Sequence, residues 1–167
     1  MKKLKLLALS LFVIIASCAK QDSPSVGFVS GEEFQGFEWH IGTSEYVKVV
    51  TDLDQAWIVN DYEKMSSFFS DTTTIITYDG LMFDSFRGFS NHLQDDTSEY
   101  EWEIVSIYSV DLNPETGGEH VYATFAITST LSSGDIDTYN ILEHYYIIDG
   151  KIVWLYQYKQ DQQDQPD

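Results

Sequence analysis

Cysteine is almost missing from this 167-residue chain. The one copy, at position 18, excludes an internal disulfide framework and any multi-cysteine metal site. Basic residues are also scarce: 9 Lys and Arg stand against 27 Asp and Glu, a formal charge of −18. Nucleic-acid binding through phosphates needs a basic surface, so that function class is excluded. Proline occurs three times. No apolar run approaches the roughly 20 residues that a membrane-spanning helix needs. What is plentiful is apolar matter, 43% of the chain, with 15% aromatic. That composition excludes a disordered or collagen-like chain, and the length suits one domain with a real core.

The few basic residues gather at the start. Met1-Lys2-Lys3-Leu4-Lys5 precedes an apolar run from Leu6 to Ala16, broken only by Ser10, which has the form of a secretory signal. The run ends in Ile15-Ala16-Ser17-Cys18, which resembles the lipobox of bacterial lipoproteins. That resemblance implies a signal peptide over 1–17, cleavage before Cys18, and acylation of Cys18. Loss of Lys2, Lys3 and Lys5 leaves 6 basic and 27 acidic residues, a charge of −21. Anionic headgroups repel such a body, so lipid has to hold it to the membrane. The expected location is a bacterial cell envelope with the domain outside the cytoplasm. The outer membrane is expected over the inner, and Lys20-Gln21-Asp22 after the cysteine is a slight pointer to export. Residues 18–42 read as the lipidated cysteine and a flexible tether, and 160–167 as a disordered acidic tail.

Between the tails the period of the apolar residues changes from helix to strand. Val47, Val50, Leu53, Trp57 and Ile58 recur at helical spacing behind a cap at Thr43 or Ser44. Asp61 is placed to cap a second short helix with Tyr62, Met65, Phe68 and Phe69 on its apolar face. Residues 72–77 read as a strand ending at the turn Asp79-Gly80, and 84–96 as a short helix around Phe86, Phe89 and Leu93. After Tyr100 the chain reads as strands over 101–112, 121–128, 138–148 and 151–159, with a two-residue hairpin turn at Asp149-Gly150. Helices first and an antiparallel sheet after them make an α+β domain.

The last hairpin predicts faces. Strict pairing across Asp149-Gly150 sets Tyr146 opposite Val153, His144 opposite Leu155 and Leu142 opposite Gln157 on one face. Tyr145 opposite Trp154, Glu143 opposite Tyr156 and Ile141 opposite Tyr158 fall on the other. Both faces are too apolar to be simply solvated. One is expected on the helices, and the other against a partner.

Several local signatures in this order resemble the nuclear transport factor 2-like superfamily in its SnoaL-like branch. They are residues 56–65 (AWIVNDYEKM), Phe69-Ser70-Asp71, Tyr78-Asp79-Gly80, residues 143–152 (EHYYIIDGKI) and Tyr156-Gln157-Tyr158, and they cover about 43–159. The resemblance implies a cone-shaped curved sheet packed on N-terminal helices, a pocket at the open end, and dimerisation through the outer sheet face. Tyr145, Trp154, Tyr156 and Tyr158 are the expected dimer face. Trp57, Thr77, Tyr78, Phe86, His92, His144, Tyr146 and Gln157 are the expected pocket.

The family's ketosteroid isomerase groups do not carry over. The oxyanion tyrosine, the general-base aspartate and the protonated aspartate fall on Leu53, Thr77 and Leu142. An enolisation needs a base beside the proton and donors where the oxyanion forms, which leucines do not supply. His144 is the remaining acid/base candidate. His40 and His120 have no partner visible in the sequence. No histidine pair has metal-ligand spacing, Asp52, Asp54, Asp95 and Asp96 match no calcium loop, and no glycine-rich loop follows a strand. No metal and no cofactor is therefore expected. The function expected is a membrane-tethered binding module for a small apolar or aromatic molecule or a protein, without catalysis. The alternatives are a SnoaL-like isomerase, cyclase or hydrolase using His144, and a structural homodimer.

Overall fold

The computed structural model describes residues 24–112 and 117–161, apart from the side chain at position 33. The expected signal peptide, Cys18 and residues 162–167 of the expected tail lie outside these residues.

The helical stripe forms α1, Ser44–Ile58, with Val50, Leu53 and Ala56 each 1% exposed. The Thr43 side chain makes no cap hydrogen bond. Instead the Thr43 backbone N–H donates to Glu119 Oε2 at 2.6 Å, and Ser109 Oγ donates to the same oxygen at 2.5 Å. A strand carboxylate thus caps the helix and sits at its positive end. The close approach requires glycine beside it: a Cβ on Gly42 would fall 2.4 Å from both Glu119 Oε2 and Ser109 Oγ. Asp61 caps α2, Tyr62–Ser66, by accepting from the Lys64 N–H at 3.0 Å.

The chain then enters β3, Phe69–Ile76, so Phe69 opens a strand rather than completing the helical face. The Asp79-Gly80 turn leads to β4, Met82–Phe83, and Ser85 caps α3, Phe86–Asp95. The long strands are β5, Glu99–Asp111, β6, Glu119–Thr130, β7, Ile136–Ile148, and β8, Lys151–Asp161. Two short strands precede α1: β1, Ser25–Phe28, and β2, Glu38–Ile41, joined through a 3₁₀ turn at Glu32–Phe34. They stand where the sequence reads as tether, and they extend the sheet beyond β5.

The eight strands run β1-β2-β5-β6-β7-β8-β3-β4, antiparallel throughout except for β3 beside β8. The sheet is curved and unclosed, and the fold is α+β as expected. Its inner face packs on the helices through Leu53, Met65, Ile75, Phe89, Val121 and Leu155. Truncating such a side chain to alanine typically costs about 2–5 kcal/mol.

The last hairpin corrects the predicted faces. Asp149 and Gly150 both have positive φ, at 50° and 73°, and Ile148 pairs with Lys151 across a two-residue turn as expected. Ile147 then pairs with Ile152, but Tyr146 pairs with Trp154, leaving Val153 as an extra residue. This bulge inverts one strand against the other. Tyr145, Glu143 and Ile141 therefore face inward with Leu155 and Gln157, while His144, Tyr146 and Leu142 face outward with Trp154, Tyr156 and Tyr158.

Candidate functional site

Between the helices and the inner sheet face lies a pocket of about 660 Å³, open at one end. Helix α1 brings Leu53, Asp54 and Trp57 to it, on one face because they lie three and four residues apart. Strand β7 brings Tyr139, Ile141, Glu143 and Tyr145 at every second position. Strands β5 and β6 add Trp102, Phe125 and Ile127, and α3 adds Phe89, His92 and Leu93.

Two carboxyls sit deep in it. Glu143 is 7% exposed and Asp54 9%. Glu143 Oε1 accepts from Gln157 Nε2 at 2.7 Å, and its Oε2 accepts from the Tyr145 hydroxyl. Asp54 Oδ1 accepts from the Trp102 indole N–H at 2.8 Å. Burial pushes the Glu143 carboxyl above the ordinary range, and the nearby charge of Asp54 adds to this. The donors on Tyr145 and Gln157 oppose it, but burial prevails. Burial and the Glu143 charge raise the Tyr145 phenol well above its usual value.

The rim carries further acids. Thr77 Oγ1 donates to Asp79 Oδ1, which holds that carboxyl below its ordinary value. The Tyr100 hydroxyl donates to Asp96 Oδ2 at 2.6 Å. The lining thus holds Asp54, Asp79, Asp96, Glu99 and Glu143, and it includes no Lys or Arg; His92 is its single basic side chain.

Of the residues expected in the pocket, Trp57, Thr77, Tyr78, His92 and Gln157 line it. Phe86 does not: it is buried and stacks on Phe69 at 4.7 Å between ring centroids. His144 and Tyr146 do not, because the bulge at Val153 turns them outward. Tyr145, expected on the dimer face, is a pocket residue and 2% exposed. Leu53 and Thr77 line the pocket as the isomerase count placed them, whereas Leu142 faces out and its neighbour Glu143 presents a carboxyl inward.

The outer face carries its own polar pair. His144 Nε2 lies 3.0 Å from His120 Nδ1, with Tyr122 stacked on His144 at 4.0 Å and Tyr146 on His120 at 4.6 Å. Trp154 meets the His144 ring edge-on at 4.5 Å and stacks on Tyr156 at 4.6 Å. Burial lowers His120 to about 4. Burial, with His120 beside it, lowers His144 to about 4. Both imidazoles are neutral at pH 7, and one donates to the other.

The residues missed from sequence are Asp54, Trp102, Tyr139 and Glu143. Asp54 had a signal: it is a carboxylate inside the apolar stripe of α1, between Leu53 and Trp57. Glu143 had none, since the Val153 bulge leaves no mark in the alternation. Among the described residues no three His, Cys, Asp or Glu groups come together to hold a metal.

No protein-family model and no curated protein matches the chain by sequence. Solved structures match it in fold. A candidate ketosteroid isomerase from Kribbella flavida DSM 17836 superposes with a TM-score of 0.59 at 7% identity, covering 76% of this chain and 86% of that one. An LEH-like epoxide hydrolase from M. tuberculosis gives 0.57 at 14% identity, covering 71% and 84%. A candidate SnoaL-like polyketide cyclase from Jannaschia sp. CCS1 gives 0.57 at 13% identity, covering 70% and 86%. Other neighbours are nuclear transport factor 2-like proteins, one of them of unknown function. At these identities the likeness is one of fold.

Proposed function

We propose that this protein is a lipid-anchored ligand-binding protein of the bacterial cell envelope, tethered through Cys18, whose cone encloses a small and largely apolar molecule. The observation that carries the reading is the pocket: about 660 Å³, walled by Trp57, Phe89, Trp102, Phe125 and Tyr139, with polar side chains among them to orient a ligand. That volume and lining are those of small-molecule sites. Two copies are proposed to pair through the aromatic outer face of β6, β7 and β8.

A neutral apolar dye such as Nile red tests the pocket. It is expected to bind the purified chain, to quench Trp57 and Trp102, and to lose at least about tenfold in affinity in Ile127→Trp, which fills the cavity. Binding that leaves tryptophan emission unchanged and survives Ile127→Trp would place the dye elsewhere and remove the reading.

A second reading is favoured by Glu143. A buried carboxyl that burial makes harder to ionise is placed to act as a general acid, in the role expected of His144. Isomerase, cyclase and hydrolase names all occur among the structural neighbours. In that case turnover depends on Glu143 and is indifferent to His144→Gln.

A further inference from the structure

We infer that the pocket selects organic cations, namely protonated amines on an aromatic or apolar body. This rests on the pocket being a ligand site and names the chemical class it takes.

The lining is one-sided. Two carboxyls, Asp54 and Glu143, lie at its depth and others at its rim, and no guanidinium or ammonium belongs to the lining. A carboxylate ligand would enter against this field with no cation in the lining to meet it, since Lys159, outside the lining, is already paired with Asp137 and Asp161. A neutral ligand would bury apolar area and leave the carboxyls as they are. An ammonium gains from both the acids and the ring faces. Buried charges are stable when paired, and aromatic faces attract cations more strongly when water is excluded.

Asp54 has room for such a partner. Its Oδ1 is committed to the Trp102 indole, but its Oδ2 has only a 3.5 Å contact with Gln55. Trp102 thereby places an aromatic ring beside an acceptor oxygen.

The protein already seats one ammonium on these walls. Lys159 Nζ lies 4.0 Å from the ring centroid of Tyr139 and 5.8 Å from that of Tyr78, both of which line the pocket. Asp137 at 3.0 Å and Asp161 at 3.3 Å complete its surroundings. Aromatic faces with flanking carboxylates therefore hold a primary ammonium in this molecule, at the rim of the cavity whose depth repeats the combination.

Three indoles of one shape test the inference by calorimetry on the full chain at pH 7: tryptamine, tryptophol and indole-3-propionate. The expected order is tryptamine tightest by at least about tenfold, then tryptophol, then the acid. Asp54→Asn is expected to cost tryptamine about tenfold and to change tryptophol by less than about threefold. Tryptophol or the acid binding as tightly as tryptamine overturns the cation preference and leaves a neutral ligand site. Failure of all three to bind at millimolar concentration overturns the pocket reading as well. The comparison on the unsubstituted chain stands even if the variant does not fold.

Discussion

Glu143 sits where charge is costly, and its effect on stability has a definite sign. Its folded carboxyl holds its proton to higher pH than the unfolded one, because burial and Asp54 disfavour ionisation. Between the ordinary carboxylate range and that raised value the folded state binds more protons, so this residue's contribution falls as pH rises. His120 and His144 act oppositely. Both are lowered to about 4 by burial, so their contribution grows as pH rises from about 4 to the ordinary 6.5. Glu143→Gln keeps an acceptor for Tyr145 and, with the Gln157 amide turned over, a partner there too. Relative to the parent, the melting temperature of Glu143→Gln is expected to rise between pH 5 and pH 8, by about 4 °C or more. A difference that stays constant over that range would show that Glu143 is ionised in the fold. The two histidines, present in both proteins, cancel in the comparison.

At the scale of elements, the helices, their order and the last hairpin turn were readable because each rests on local chemistry. Asp61 accepts the Lys64 N–H as a cap should, and Asp149-Gly150 adopts the positive φ values its composition favours. The faces of β7 were not readable, since a period of two has no internal check. One unpaired residue, Val153, exchanges Tyr145 and Glu143 for His144 and Tyr146. Strands β1 and β2 were missed for a different reason: they are four residues each, and only pairing, β2 on β5 and β1 on β2, gives them a place. The same bulge makes the outer face more aromatic than the sequence count suggested, adding His120, Tyr122, His144 and Tyr146 to Trp154, Tyr156 and Tyr158. Pairing of two copies there predicts a dimer in sedimentation velocity at micromolar concentration. Two bodies of strong negative charge repel, so added salt is expected to tighten the dimer. Tyr156→Glu is expected to weaken it about a hundredfold or more, with unchanged circular dichroism. A monomer at every micromolar concentration and salt level would exclude the pairing.

At the scale of the whole molecule, the proposal that stands furthest from the folded body is the anchor. Among the described residues no helix is long and apolar enough to cross a membrane. With residues 1–17 removed the chain carries −21, which opposes adsorption to anionic lipid. On the proposed reading, attachment comes from acylation of Cys18, in keeping with the Ile15-Ala16-Ser17-Cys18 motif. The strands before α1 sharpen the geometry. The first described strand starts at Ser25 rather than near residue 43, so six residues lie between Cys18 and β1. The seven Cα–Cα steps from Cys18 to Ser25 reach at most about 25 Å, so a lipid on Cys18 would hold the β1–β2 edge of the sheet close to the bilayer. Cells grown with labelled palmitate are expected to label the parent chain and not Cys18→Ser, and the variant is expected to leave the membrane fraction. Equal labelling of the two would refute the anchor. Loss of label with continued membrane association would refute attachment by lipid alone and point to residues 1–17 retained as an uncleaved anchor, or to a protein partner.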